Sequence, residues 1–235
     1  MNIGICDDEK GCREEIQINC EQYAVKNNLQ FVYKIFISGE QVIGYNGEID
    51  ILFLDIEMSG INGLRVMELL EGRENIKRII FVSSHDKYVF DTYGAKTRGF
   101  VRKPVFYDEM CKSMNKVICE ITENKVYMFE TDGVKRYIKL GDIIYLRGMG
   151  NYIKLVSLNE EYTVYGNVKY WNGQLKEHSI IRVHKSYLVN LKYVRNWKRN
   201  LYIEELDVGI PVGRRFYAEG EKIFQQYLLK RMRGV

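Results

Sequence analysis

Blocks of apolar residues separated by longer polar stretches divide the first half of the chain into alternating strands and helices. Five short apolar runs have the length and composition of β-strands, at residues 2–6, 31–36, 51–55, 79–82 and 99–101. The segments between and after them carry apolar residues at helical spacing and predict helices over about 10–27, 39–45, 63–72, 87–94 and 106–122. Ser38 and Asn62 stand where the N-caps of the second and third helices are expected. Five successive strand–helix units favour a parallel sheet with helices on both faces.

The second half has the pattern of a mainly β domain. Short alternating runs, interrupted by Gly and Asn, predict strands at 126–130, 134–139, 143–147, 152–158, 161–165, 180–183, 187–190, 193–197, 201–205 and 208–212. Two helical segments interrupt them, at about 167–176 and 214–232. Residues 120–125 are charged and lose the helical periodicity, so we place a short linker at 122–125. The predicted domains are therefore residues 1–121 and 126–235.

The stretch at residues 51–63 is the most distinctive of the first half. Four apolar residues run directly into Asp55, and Glu57 and two glycines follow. A run that is apolar on every side is typical of a strand buried on both faces of a parallel sheet. An aspartate at its carboxyl end lies at the sheet edge where open α/β folds bind ligands. Asp55 is therefore either a carboxylate presented for chemistry or simply the start of the next turn.

Composition limits the kind of protein. The 235 residues suffice for two domains, and 46% hydrophobic with 28% charged residues is typical of a soluble globular protein. No apolar run reaches the ~20 residues of a membrane span. No signal-peptide pattern follows Met1, so we expect a cytoplasmic protein with no membrane segment. The five cysteines are odd in number and lack C-x-x-C spacing, which indicates reduced thiols rather than disulfides or a zinc site.

The net charge of +4 divides unevenly along the chain. Residues 1–123 contain 15 basic and 20 acidic residues, whereas residues 124–235 contain 20 basic and 11 acidic residues. An acidic half joined to a basic half indicates that the second half meets a polyanion. Charge alone does not identify that polyanion.

Polar residues occur at the carboxyl ends of four predicted strands. These residues are Asp7, Asp8, Asp55, Ser83 and Lys103. The carboxyl ends of parallel strands meet at one edge of a sheet, so we expect these side chains to converge. Carboxylates beside a lysine can hold a hard cation and a phosphoryl group. We expect Mg²⁺ to bind Asp8, Asp55 and a backbone carbonyl near Glu57, and Asp55 to attack phosphorus and form an acyl phosphate.

This set of residues, with Pro104 after Lys103, resembles the receiver domain of two-component response regulators over essentially all of residues 1–121. The resemblance implies a doubly wound, flavodoxin-like α/β fold with a five-stranded parallel sheet. It also implies that a sensor histidine kinase phosphorylates Asp55 and that the Lys103–Pro104 bond is cis. The remaining roles that it implies are metal binding for Asp7 and Asp8, switching for Ser83 and Phe100, and phosphate binding for Lys103.

Two positions depart from the usual receiver pattern. Ser59 stands where many members have proline, which changes the rigidity of that loop. Glu57, two residues after Asp55, occupies a variant position that can alter the lifetime of the phosphate.

The runs at residues 181–191 and 210–216, with Asn151-Tyr152 and Tyr165-Gly166-Asn167, resemble the LytTR DNA-binding domain over about 126–230. The resemblance implies a stack of small β-sheets whose loops enter the major groove of a DNA duplex. The DNA contacts that it implies are Tyr152, Asn190 and Arg214 at bases or backbone, and Lys185, Arg199 and Arg215 at phosphates. Gly213 stands where serine is frequent, which removes a possible helix cap.

Together the two resemblances predict a non-enzymatic transcription regulator that is phosphorylated on Asp55, dimerises and binds repeated sites on double-stranded DNA. Two alternatives remain open. An aspartate-nucleophile phosphatase would place an aspartate where Glu57 stands, and a receiver protein could use its basic half to bind protein or RNA. Single residues also have structural explanations, since His184 could be a buried histidine, Asn190 a turn former and Trp197 part of the core.

Overall fold

The computed structural model describes residues 1–88, 94, 96–175 and 179–232. The chain divides into two compact units, Met1–Ile118 and Cys119–Met232, within the described residues. The first unit has the predicted α/β fold, and the second has the predicted mainly β fold.

The first unit is built on a five-stranded parallel sheet with strand order β2-β1-β3-β4-β5. Its strands are β1 (Asn2–Cys6), β2 (Val32–Phe36), β3 (Ile49–Asp55), β4 (Ile76–Ser83) and β5 (Thr97–Arg102). The apolar run of β3 is completely buried from Ile51 to Leu54, as expected for a central strand that is covered on both faces. The sheet is thus a rigid platform, and its carboxyl edge carries the ends of β1, β3, β4 and β5.

Four α-helices begin in this unit within the described residues: α1 (Lys10–Asn27), α2 (Gly39–Gly44), α3 (Gly63–Leu69) and α4 (Tyr107–Asn124). Asn62 caps α3 as predicted, because its side chain accepts a 2.9 Å hydrogen bond from the Arg65 amide. Ser38 precedes α2 but its side chain makes no capping hydrogen bond. Within the range 87–94, where a helix was predicted, the described part is a 3₁₀ turn at Asp86–Tyr88, and residues 89–93 lie outside the described residues.

The prediction of a non-helical linker at 122–125 is wrong, because α4 continues to Asn124. The amide of Lys125 still bonds the carbonyl of Thr122 at 3.2 Å. The segment contains no glycine or proline, and its charged residues are compatible with a helix. The loss of apolar periodicity therefore did not signal the end of the helix.

The second unit contains a hairpin of β6 (Val126–Thr131) and β7 (Val134–Lys139), followed by a five-stranded antiparallel sheet. That sheet has the order β10-β9-β8-β12-β11. Its strands are β8 (Ile143–Met149), β9 (Tyr152–Ser157), β10 (Glu161–Tyr165), β11 (Ile180–His184) and β12 (Tyr187–Asn190). A second hairpin, β13 (Asn200–Ile203) with β14 (Val208–Pro211), completes the β structure among the described residues.

Two hydrophobic cores lie on opposite faces of this antiparallel sheet. Neighbouring residues such as Leu155 and Val156 enter different cores, as the period-two pattern of a strand requires. Helix α5 (Val168–Gln174) covers one core through Trp171, and the terminal helix α6 (Arg214–Met232) covers the other through Phe224.

The strand predicted at 193–197 is not present. Leu191–Tyr193 form a 3₁₀ turn, and the Asn190 side chain accepts a 3.1 Å hydrogen bond from the Lys192 amide at its start. Tyr193 and Val194 are buried individually rather than as one face of a strand. Their apolar character therefore reflects packing beneath a turn.

Candidate functional site

Three carboxylates meet at the carboxyl edge of the parallel sheet. Asp7 and Asp8 follow β1, and Asp55 is the last residue of β3. One oxygen from each lies within 4.8 Å of the others. Asp7 is 0% exposed and Asp55 2% exposed, whereas Asp8 faces solvent. Oxygen ligands of this kind are those that Mg²⁺ prefers, so the cluster fits a divalent cation.

Lys103 follows β5 and forms ion pairs with both buried carboxylates. Its Nζ lies 2.8 Å from Asp7 Oδ2 and 2.9 Å from Asp55 Oδ2. Its backbone amide donates to the Ser83 carbonyl at 2.9 Å, which ties the ends of β4 and β5 together. The Lys103–Pro104 peptide bond is cis, as predicted.

The electrostatics of the site follow from burial and from these contacts. Burial raises the pKa of Asp55 to about 6, although the hydrogen bond from Lys103 opposes the shift. Burial also disfavours the charge of Lys103, but hydrogen bonds to Asp55 and Asp7 outweigh it and raise the pKa of the lysine. A carboxylate at the end of a rigid strand, desolvated and beside a fixed cation, is suited to nucleophilic attack on an electrophilic phosphorus.

Backbone and hydroxyl donors orient each carboxylate. The Glu9 amide donates to Asp7 Oδ1 at 2.8 Å, and the Glu57 amide donates to Asp55 Oδ1 at 3.2 Å. Ser59 has a role that the sequence did not reveal. Its amide and hydroxyl both donate to Asp8 Oδ2, at 2.9 and 2.7 Å, and these bonds lower the pKa of Asp8. A proline at this position could supply neither donor.

The side chain of Glu57 takes part in a second small network. His85 Nδ1 lies 2.7 Å from Glu57 Oε2, and the Tyr88 hydroxyl donates to Glu57 Oε1 at 3.2 Å. Sequence reasoning missed His85 and Tyr88, because their proximity to Glu57 depends on how the turn after β4 folds back. The contact with His85 lowers the pKa of Glu57.

Ser83 and Phe100 occupy the positions predicted for them along the sheet. Ser83 ends β4, is completely buried, and accepts a 3.2 Å hydrogen bond from the His85 amide through Oγ. In this conformation the Ser83 hydroxyl therefore supports the turn that follows β4. Phe100 lies in β5, is partly buried, and packs against the core of the first unit.

In the second unit, five of the six predicted DNA contacts are exposed: Tyr152, Lys185, Arg199, Arg214 and Arg215. Tyr152 is 49% exposed and meets Tyr165 edge to face at 5.7 Å between ring centroids. The guanidinium of Arg215 lies 4.6 Å from the Phe216 ring centroid, and that of Arg199 lies 5.2 Å from the Tyr217 ring centroid. The aromatic rings hold these two cations near the start of α6.

A DNA-contacting role for Asn190 does not fit the structure. The residue is 1% exposed, and its side-chain amide donates to the carbonyls of Leu140 and Ile143, at 3.3 and 2.8 Å. Its side-chain oxygen accepts from the Ser179 hydroxyl and the Lys192 amide. The amide is thus used entirely within the domain, as a buried polar group requires.

His184 and Trp197 also have structural surroundings. His184 Nδ1 accepts a 3.2 Å hydrogen bond from the Ser186 amide, and partial burial together with nearby cations lowers its pKa. The Trp197 ring stacks on the Phe224 ring with 5.7 Å between ring centroids, and its Nε1 donates a hydrogen bond to the Tyr217 carbonyl. Neither ring is presented for stacking on a base.

No helix within the described ranges is both long and apolar enough to cross a membrane. No disulfide bond joins any of the five cysteines, all of which lie within the described residues.

Comparison with known proteins finds two family models. The response regulator receiver domain matches residues 3–115, and the LytTr DNA-binding domain matches residues 134–225. The transcriptional regulatory protein NatR of Bacillus subtilis is 23% identical over 204 residues, covering 84% of this chain and 85% of NatR. The sensory transduction protein LytT of the same organism is 24% identical over 242 residues, covering 95% of this chain and 98% of LytT. The response regulator TrrA of Thermotoga maritima, solved in complex with Mg²⁺ and BeF, is 25% identical over 49% of this chain and 97% of its own, with a TM-score of 0.42.

Proposed function

Because the chain belongs to the response regulators that join a receiver domain to a LytTR DNA-binding domain, we propose that phosphorylation of Asp55 by a sensor histidine kinase controls its binding to double-stranded DNA. One observation carries the proposal. The carboxylate of Asp55 is 2% exposed, sits beside Asp7 and Asp8, and lies 2.9 Å from the Lys103 ammonium. This is an arrangement for receiving a phosphoryl group.

In the reaction, an Asp55 oxygen forms a bond to phosphorus while the bond from phosphorus to the histidine nitrogen of the kinase breaks. The ion pairs of Lys103 with Asp55 and Asp7 weaken, and its ammonium turns towards the oxygens of the transferred phosphoryl group. A Mg²⁺ ion held by Asp7, Asp8, Asp55 and the Glu57 backbone carbonyl would offset charge on those oxygens. The Glu57 amide, already 3.2 Å from Asp55 Oδ1, helps to keep the carboxylate oriented.

The signal leaves the site through the neighbouring strand ends. The Ser83 hydroxyl turns from the His85 amide towards the phosphoryl group, and Phe100 repacks against the core beside it. Two receivers then associate as a homodimer, which places two DNA-binding domains on one duplex. The second domain binds at a high effective concentration, so repeated sites are bound more tightly without any new contact.

The DNA surface that we propose consists of Tyr152, Lys185, Arg199, Arg214 and Arg215. Their exposure, and the net charge of +9 over residues 124–235, support it. A regulator of this kind works in the compartment that contains the DNA, and we place it in the cytoplasm. Five cysteines that form no disulfide with one another suit a reducing compartment.

The phosphatase alternative is disfavoured by the geometry around Glu57. A second catalytic acid would have to face the acyl phosphate, but the Glu57 carboxylate contacts His85 and Tyr88 instead. We therefore propose a phosphoacceptor rather than an enzyme with turnover. The protein-or-RNA alternative for the basic half is decided by the DNA experiment below.

The first experiment tests the phosphoacceptor. The purified full-length protein is incubated with acetyl phosphate and Mg²⁺, and its intact mass and oligomeric state are measured. We expect the mass of one phosphoryl group, labile to hydroxylamine, together with dimer formation, and we expect Asp55→Asn to lose both. Asp108→Asn, at an exposed aspartate in the first turn of α4, serves as the matched control. Full modification and dimerisation of Asp55→Asn would refute the assignment.

The second experiment tests DNA binding. Random duplexes are selected with and without beryllofluoride and Mg²⁺ at fixed salt, because phosphate contacts make affinity depend on salt. Enrichment of a repeated motif that is bound more tightly with beryllofluoride is the expected result. No enrichment in either state, together with retention of a protein or RNA partner, would favour the alternative.

A further inference from the structure

The hairpin of β6 and β7 presents an exposed apolar face. Met128 stands opposite Tyr137 in the register of the two strands, and the Tyr137 ring is 68% exposed. Val126, two residues before Met128, is exposed on the same face, as the period of a strand requires. The alternate residues Phe129 and Ile138 are buried in the core beneath. The outer face is therefore an apolar pair on a hairpin whose inner face is anchored.

The same hairpin is basic along β7. Residues 134–139 contain the three exposed cations Lys135, Arg136 and Lys139 and no acidic residue. Glu130 stands opposite Lys135 in the register, but no ion pair joins the two. In the part of the chain that the structure describes, Lys135 and Lys139 have no acidic partner at all. An exposed apolar pair between unpaired cations fits a partner that combines an apolar group with negative charge.

A second hairpin of the same domain has the opposite charge. Residues 200–211, which form β13, β14 and their turn, contain three acidic residues and no basic one. The acidic residues are Glu204, Glu205 and Asp207, and all three are exposed. The Tyr202 ring is also exposed, and its hydroxyl donates to Asp207. Arg195 pairs with Glu204, whereas Glu205 has no cationic partner among the described residues.

The two hairpins lie on opposite faces of the five-stranded antiparallel sheet. Phe129 and Ile138 of the basic hairpin belong to the core that α5 covers, whereas Leu201 and Ile210 of the acidic hairpin belong to the core that α6 covers. The domain therefore has one basic side and one acidic side. Two copies placed side by side in the same orientation would bring the acidic hairpin of one to the basic hairpin of the next.

The proposed DNA contacts leave both hairpins free. Tyr152 begins β9, and Lys185 lies in the turn between β11 and β12. Strand β8 pairs Met149 with Tyr152 and Arg147 with Tyr187, so these two DNA contacts share one end of the sheet. A duplex bound at the ends of the strands leaves the faces of the sheet accessible to a domain at a neighbouring site.

We propose that the β6–β7 hairpin of one molecule docks on the β13–β14 hairpin of a second copy bound at the adjacent DNA site. Lys135 and Lys139 face the acidic turn around Glu205, and the Tyr137 ring packs against the Tyr202 ring. The inference rests on the proposed DNA binding and goes beyond it, because coupling through the receivers needs no contact between DNA-binding domains. The contact is heterologous, so it favours two sites with the same orientation on the duplex.

The small size of the contact decides where it forms. Stable complexes bury roughly 1,200–2,000 Å², and the ends of two hairpins bury much less, so this face does not hold free molecules together. On DNA the neighbouring molecule is at a high effective concentration, and a weak contact is then sufficient. Pairing of β7 with β7 of another copy is disfavoured, because it would set Lys135 and Lys139 against the same residues of the partner strand.

The test measures binding of the full-length unphosphorylated protein at low salt, so that phosphorylated receiver dimers do not contribute. The duplexes carry one copy of the selected motif, two copies in the same orientation, or two copies in inverted orientation. The spacing is varied through one helical turn of about 10–10.5 base pairs. We expect a gain of at least about fivefold in affinity for the same-orientation duplex over the single site, at one phase of the spacing. An absent gain, or an equal gain for inverted sites, would overturn the proposal.

Charge reversal identifies the two hairpins. Lys135→Glu and Glu205→Lys should each abolish the gain, because like charges then meet across the contact. The combined variant exchanges the two signs and should recover the gain. Glu160→Lys, at an exposed glutamate between β9 and β10, is the matched control and should keep the wild-type gain. Each gain is a ratio to the single-site affinity of the same variant, so general effects of charge on DNA binding cancel.

The remaining outcomes separate this inference from the proposed function. If both single variants keep the full gain, the β6–β7 face serves a different partner and the proposal is wrong. If the combined variant fails to recover the gain, these two hairpins do not meet. Failure of the proposed function has a different signature, because the wild-type protein would then bind neither the single-site nor the two-site duplex, and the inference would fall with it. Far-ultraviolet circular dichroism of each variant verifies that it is folded.

Discussion

Replacing Gly63 with alanine should displace the end of β3, which carries the phosphoacceptor Asp55. Gly63 is the first residue of α3, and its amide donates to the Ile56 carbonyl at 3.0 Å. An alanine Cβ would lie 2.1 Å from the Asp55 carbonyl oxygen and 3.0 Å from both Asp55 C and Ile56 Cα. Every one of these atoms is backbone, so no side chain can rotate away to relieve the clash.

The size of the effect follows from that distance. To reach even 3.0 Å, the start of α3 and the end of β3 would have to separate by about 0.9 Å. Overpacking a rigid core typically costs about 1–3 kcal/mol, and we expect Gly63→Ala to lower the free energy of unfolding by about 3 kcal/mol because the contact is entirely backbone. The displaced strand end carries Asp55, so phosphorylation by acetyl phosphate should also slow.

Urea unfolding and the initial rate of phosphorylation measure the two effects. Gly11→Ala is the matched control, since Gly11 lies in α1 and a Cβ there meets nothing within 4 Å. That control should be stabilised by about 0.5–1 kcal/mol, because alanine favours a helix, and should be phosphorylated at the wild-type rate. If the free energy of unfolding of Gly63→Ala lies within about 0.5 kcal/mol of the wild-type value, the close packing of α3 on Asp55 does not stabilise the site, and the reasoning is wrong.

Three further predictions concern other parts of the molecule. Asn190→Ala should lower the free energy of unfolding in urea by about 2–4 kcal/mol, because two buried carbonyls lose their donor. The DNA affinity per folded molecule should stay unchanged. A variant with wild-type stability that no longer binds DNA would instead support a DNA contact by Asn190. Burial would raise the pKa of Asp50, but hydrogen bonds from Lys77 and from the Asn2 amide hold this pKa below its usual value. The wild type should therefore be more stable than Asp50→Asn above about pH 4, and this difference in the free energy of unfolding should shrink as the pH falls below that. An advantage that is independent of pH in urea titrations would contradict this. Ser59→Ala should raise the pKa of Asp8 in a metal-free NMR titration, since it removes the 2.7 Å hydroxyl bond, and an unchanged pKa would show that the backbone amide alone sets it.

The sequence determined most of the first domain and its site by itself. Fully apolar runs can be satisfied only inside a parallel sheet, and the right order of strands and helices brings the carboxyl ends together. Asp7, Asp55 and Lys103 therefore had to meet, and the ion pairs at 2.8 and 2.9 Å confirm that they do. Strand ends are predictable in this way because each strand ends where its apolar run ends, and that position can be read locally.

Only the tertiary structure decided which turns, distant from one another in the chain, are in contact. Asn190 looked like a DNA contact, but it is buried because the carbonyls of Leu140 and Ile143, some 50 residues earlier, need its donors. The placement of the β6–β7 and β13–β14 hairpins on opposite faces of the sheet depends likewise on which core the apolar face of each hairpin enters. A sequence pattern shows which face of an element is apolar, but which polar groups share a surface depends on the packing of elements that carry no local signal for one another.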